Sequence, residues 1–168
     1  MDLNTFKETK KITVAINLNK IRKDDNGKLW VTSRGNYMDI PPKAYVLDPN
    51  TDTVIKEINQ PISDMGFVEN RMYYYGYQWT SSGTVSSYGI IDTDTYQTLS
   101  NQFIQDGNEK KIVIPYGIAV NPDNGDIFIA DAKDYISNGE VFCFTKYGKL
   151  KWRATTGDIP GHFAFLFK

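Results

Sequence analysis

One turn chemistry returns along this chain at a spacing of about 45 residues. Asp2-Leu3-Asn4-Thr5, Asp48-Pro49-Asn50-Thr51 and Asp92-Thr93-Asp94-Thr95 share the pattern Asp-x-Asn/Asp-Thr, with leading aspartates 46 and then 44 residues apart. A fourth version, Phe144-Thr145-Lys146-Tyr147-Gly148, puts glycine where the others use Asn or Asp chemistry. A second turn repeats alongside the first. Asp25-Asn26-Gly27-Lys28-Leu29-Trp30-Val31-Thr32 matches Asp123-Asn124-Gly125-Asp126-Ile127-Phe128-Ile129-Ala130, and Glu69-Asn70-Arg71-Met72-Tyr73-Tyr74-Tyr75 is a degenerate middle copy. Asn-Gly supplies the positive φ that a tight hairpin requires, and a bulky apolar strand follows each time. A fixed period of this length means stacked supersecondary units, none of which can bury its apolar face alone.

Each unit reads as four short strands. In the clearest copy they are 116–121, 126–131, 140–145 and 149–155. Ile, Val, Thr, Tyr, Phe and Trp make up 63 of the 168 residues, against 14 for Ala and Leu together. β-branched and aromatic side chains suit strands, so helical bundles and helix-covered parallel sheets are excluded. The predicted fold is an all-β propeller of four-stranded antiparallel blades. A β-sandwich is the competing architecture, but it does not require one turn chemistry at fixed spacing. Three whole blades are expected, at 18–58, 64–103 and 116–155, with lone strands at 5–10 and 163–167, in a single partial domain over 1–168. Propellers close with four to eight blades. About three and a half blades implies part of a larger ring, or two copies associating as a homodimer to complete one.

Several function classes fall away on composition. A net charge of -1 offers no clustered cation for nucleic acid or an anionic membrane surface. No apolar stretch reaches the roughly 20 residues of a spanning helix, and the first residues carry no export signal. The single cysteine, Cys143, lies in the apolar run Val141-Phe142-Cys143-Phe144 and reads as a buried small hydrophobe. His162 is the only histidine, and no nucleophile elbow accompanies it. No catalytic residue is assigned. The Asp-x-Asn/Asp-Thr segments do not make calcium loops: the twelfth position, where a carboxylate ligand belongs, is Phe103 counting from Asp92 and Ala132 counting from Asn121. No metal or cofactor is expected.

The blade Tyr116-Gly117-Ile118-Ala119-Val120-Asn121-Pro122-Asp123-Asn124-Gly125-Asp126-Ile127-Phe128-Ile129-Ala130-Asp131 resembles the repeat of YVTN/YncE-like and NHL-like propellers. Together with Asp25–Thr32 and the ending Thr156-Gly157-Asp158-Ile159-Pro160-Gly161-His162-Phe163, the chain is similar to the surface-layer-type propeller lipoproteins of gut Bacteroidetes, which include cobalamin-capturing members. The resemblance spans the chain and corresponds to the C-terminal half of a seven-bladed member. It implies a place at the cell surface or outer membrane, and a small-molecule ligand such as a corrinoid or glycan. An outer-membrane transporter is the protein partner it implies.

Propellers bind ligands at the mouth of the channel, on loops joining the second strand to the third and each blade to the next. That places three loops on one rim: 33–37 with Arg34, Asn36 and Tyr37; 76–80 with Tyr77, Gln78 and Trp79; and 132–135 with Lys133, Asp134 and Tyr135. Aromatic bodies with polar tips suit a flat or amphipathic small molecule. The same residues could instead be ordinary loop structure, and the alternation of Tyr73 and Tyr75 suits packing between blades. Three functions follow: a non-enzymatic binding module, a lactonase- or lyase-type propeller enzyme with a channel metal, or a protein-interaction scaffold. The enzyme would need a metal held by several carboxylates or histidines, and only Asp64, Asp131 and Asp158 fall near the channel ends of blades.

Overall fold

The computed structural model describes Asp2 and residues 4–166. Its strands form three four-stranded antiparallel meanders. The first contains β1 (Leu18–Lys23), β2 (Leu29–Ser33), β3 (Lys43–Asp48) and β4 (Thr53–Ile58). The second contains β5 (Asp64–Val68), β6 (Arg71–Thr80), β7 (Gly83–Asp92) and β8 (Thr98–Ser100). The third, after a 3-10 turn at Asn108–Lys111, contains β9 (Pro115–Val120), β10 (Ile127–Asp131), β11 (Glu140–Phe144) and β12 (Leu150–Thr155). The fold is all-β and propeller-like. The first strand of the middle sheet, β5, packs beside both β1 and β9. The last strands, β4, β8 and β12, are mostly exposed.

The repeat holds at the level of single hydrogen bonds. The Asp2 carboxylate accepts from the Asn4 and Thr5 amides and the Thr5 hydroxyl. Asp92 does the same with Asp94 and Thr95, and Asp48 accepts from the Asn50 amide. The residue four positions on has positive φ each time: Phe6 at 53°, Asp52 at 57° and Tyr96 at 59°. In the third sheet Thr145 replaces the aspartate, and Gly148 is the left-handed residue, at 75°. Every sheet also breaks register just before this turn, between Val46 and Leu47, Ile90 and Ile91, and Cys143 and Phe144. A β-bulge at one position in three copies is a property of the repeat.

Two apolar layers join the sheets. Between the first and second lie Trp30, Val46, Ile62, Met65, Met72 and Tyr74. The fully buried Trp30 donates from Nε1 to Asp24 Oδ2 at 2.8 Å, and its ring sits 5.8 Å from Phe67 and 5.9 Å from Tyr96. Between the second and third lie Tyr73, Tyr75, Phe103, Ile127, Ile129 and Phe142. The run Tyr73-Tyr74-Tyr75 therefore divides by strand alternation, its odd members facing one neighbour and its even member the other. Cys143 is buried and free, and burial pushes its thiol up to about 11.

The structure departs from the sequence reading at three places. The segments expected as lone strands, 5–10 and 163–167, are not strands among the described residues, and Phe167 lies outside those residues. A strand exists by its ladder, and among the described residues the three sheets are built without either segment. Instead Phe163 and Phe165 pack on Phe128, at 6.0 and 5.6 Å. The last strand of the second sheet is short, ending at Ser100 rather than 103. The expected loop 76–80 is strand: β6 and β7 run ten residues each, pairing Tyr77 with Ser86, Gln78 with Val85 and Trp79 with Thr84.

Candidate functional site: a tyrosine-lined cleft

At the end of the sheets where β1, β5 and β9 begin, three structural problems are solved alike. Each incoming first strand is tied to the end of the second strand in its own sheet. In the first sheet the buried Ser33 hydroxyl donates to the Ile16 carbonyl, and the Arg34 amide donates to Asn17. In the second, the Ser63 hydroxyl accepts from the Tyr77 amide. In the third, the fully buried Asp131 carboxylate accepts from the amides of Val113, Ile114 and Lys133 at 3.1, 2.8 and 3.0 Å. These ties fix the directions in which Arg34 and the 133–137 loop leave their sheets, and hold Tyr77 in place within β6.

Between those loops lies a cleft of about 730 Å³. Six of the nine predicted residues line it: Arg34, Tyr37, Tyr77, Gln78, Trp79 and Tyr135. The long β6–β7 arm carries Trp79 out into solvent, 75% exposed, with its ring 6.2 Å from Tyr77. Tyr75 lines the floor, and Tyr116 meets Tyr135 edge to face at 5.6 Å. Burial, then the Asp64 carboxylate and the phenols of Tyr116 and Tyr135, raise the Tyr75 phenol. Burial and the phenols of Tyr77 and Tyr116 likewise raise Tyr135, so this end of the cleft presents neutral hydroxyls.

Asn36, Lys133 and Asp134 do not line the cleft. The Asn36 side chain organises its own loop, accepting from the amides of Met38 and Ile40 and donating to Asp39. Gly35 at φ 65° is required in the same loop, since a Cβ there would lie 1.9 Å from the Ile40 carbonyl oxygen. Lys133 pairs with Glu140 at 3.4 Å. Asp134 accepts from the Ile136 and Ser137 amides and the Ser137 hydroxyl, which hold its carboxyl at about 2, below the usual range.

That depression fixes a pH dependence. The ionised Asp134 brace is fully present above the ordinary carboxyl value near 4 and is lost as pH falls through about 2. The Ile136 and Ser137 amide resonances are expected to hold their positions at pH 4 and move only near pH 2. A transition centred near pH 4 would contradict the assigned bonds.

Sequence reasoning missed Asn19, Lys20, Tyr75, Tyr116 and His162, all on the lining. The first two sit on β1, which reads as an ordinary inner strand. His162 arrives because the chain after β12 crosses the start of β9: a Cβ on Gly117 would lie 2.6 Å from the Gly161 carbonyl oxygen, so only glycine allows that crossing. The buried acids near this end are structural. Asp131 is satisfied by three amides, and Asp64 accepts from the Met65 amide and Arg22 with Lys20 at 3.6 Å. Among the described residues no group of three His, Cys, Asp or Glu could hold a metal ion. No helix of the described residues is long and apolar enough to cross a membrane.

No protein-family model matches the chain, and no curated protein matches it. One solved structure, described as "Crystal structure of the eukaryotic initiation factor", superposes with a TM-score of 0.48 at 12% identity, over 86% of this chain and 34% of that one. The chain thus spans about a third of the length of that structure, and a likeness this slight carries neither fold nor function.

Proposed function

We propose that this chain is a non-enzymatic binding module, part of a seven-bladed-type propeller, which captures a small molecule in the tyrosine-lined cleft. The observation that supports the reading most is the composition of that cleft. Phenols and an indole from three successive sheets converge on one hollow of about 730 Å³, within the size range of small-molecule sites. Aromatic side chains give large contact area at low entropic cost, and their polar tips orient the ligand. A corrinoid or a glycan fits this chemistry, and placement at a cell surface beside an outer-membrane transporter accords with the sequence resemblance.

A thermal-shift panel of cobalamin, corrinoid precursors and host glycans, acidic as well as neutral, tests the reading. A ligand at about 100 times its Kd stabilises by about 2.7 kcal/mol, which raises Tm by roughly 5–10 °C for a domain of this size. Trp79→Ala should leave the unliganded Tm within about 2 °C, because the side chain is 75% exposed, while removing most of the ligand shift. No shift with any panel member would sink the small-molecule reading and favour a protein scaffold.

A further inference from the structure

The cleft has a sign. Its lining includes Lys20 and Arg34, and among the described residues not one Asp or Glu. The buried acid Asp64 is already claimed by Arg22 at 3.1 Å and Lys20 at 3.6 Å. Arg34 differs from both. Its guanidinium donates to the neutral Asn19 amide oxygen at 2.9 Å, which steers the group without cancelling its charge. It stands beside Tyr135, whose phenol feels its field. A concave wall carrying surplus positive charge and no carboxylate concentrates anions and excludes cations. A guanidinium held by a neutral partner keeps donors free for a planar oxyanion, which it can grip through two parallel hydrogen bonds.

We propose that the ligand of this cleft is a sugar-like ring molecule bearing an anionic oxygen group, carboxylate or phosphate, which docks on Arg34 while its ring lies against Trp79 and Tyr77. This rests on the small-molecule reading above and narrows it. Arg34 opens the loop after β2, and Trp79 and Tyr77 stand on the β6–β7 arm, so the anion and the ring are gripped by different sheets. Such a ligand bridges the first and second sheets across the cleft.

The experiment is an NMR titration of the full chain, following the Trp79 indole N–H and the Arg34 guanidinium N–H resonances. The probes are trigalacturonate, its uncharged trimethyl ester, glucose 6-phosphate and glucose. At least one acidic member is expected to bind about 10-fold or more tightly than its neutral counterpart. The preference should shrink as salt shortens the screening length. Arg34→Gln should erase it and Arg34→Lys restore part of it, both with wild-type amide dispersion. A preference confined to trigalacturonate assigns carboxylate, and one confined to glucose 6-phosphate assigns phosphate. Equal affinity within both pairs overturns the anion site but leaves the small-molecule reading standing. No movement of either resonance with any probe overturns the anion site, and the thermal-shift panel then decides separately whether the cleft takes any ligand.

Discussion

Trp30→Ala is expected to lower the unfolding free energy by about 3–5 kcal/mol, a large part of what a domain of this size possesses. With a urea slope near 2 kcal/mol/M, the midpoint should fall by roughly 1.5–2.5 M. The loss has two sources. The fully buried ring fills the layer between the first and second sheets against Phe67 and Tyr96, so truncation leaves a cavity. It also strands the buried Asp24, whose Oδ2 accepts the indole N–H while its Oδ1 accepts the Lys28 amide in the turn before β2. Trp30→Phe keeps most of the volume and loses the hydrogen bond, so it should cost about 1–2 kcal/mol and remain folded. Trp152→Ala, at a half-exposed site on β12, is the control and should cost less than about 1 kcal/mol. Equal losses at Trp30 and Trp152 would mean that the first two sheets are not joined through this residue.

Asp131→Ala should cost about 2–4 kcal/mol, because three backbone amides lose a charged acceptor and the approach to β9 loosens. Asp131→Asn should cost nearly as much. An amide nitrogen replaces one acceptor oxygen and faces donors. Hydrogen exchange at Val113 and Ile114 should accelerate in both variants, while Trp30 in the far layer stays protected. An Asp131→Asn protein within about 0.5 kcal/mol of wild type would show that the carboxylate is not what anchors this strand.

The legible parts of the sequence were the ones governed by backbone chemistry. Asp2, Asp48 and Asp92 announce their turns because a short carboxylate can accept amides two and three residues on. Gly27 and Gly125 announce theirs because both sit at positive φ. The first sheet runs 18–58 as these signals place it, whereas the second ends at Ser100 and not at the expected 103. The β6–β7 arm was hidden because Thr80-Ser81-Ser82-Gly83 is loop chemistry, and nothing local says that Tyr77 to Trp79 still have partners across the turn.

The cleft was legible as a place more than as a set of side chains. Arg34, Tyr77 and Tyr135 fall where loops of a repeating sheet must converge. Asp134 stands off the lining, and Asp134-x-x-Ser137 carries the same pattern as Asp92-x-x-Thr95, which marks a self-bonded turn. Asn36 is likewise satisfied by its own loop. Tyr116 and His162 reach the cleft through contacts between distant segments, which no local pattern encodes.

The central claim is that three successive sheets jointly build one small-molecule site. Hydrogen–deuterium exchange of the full chain, with and without the panel ligand that gives the largest thermal shift, tests it most directly. Protection is predicted together in 33–42, 62–63 with 76–79, and 115–116 with 135, each from a different sheet or the linker before it. Protection confined to one sheet, or found at the opposite turns 24–28, 92–96 and 121–126, would contradict it, as would no protection at all.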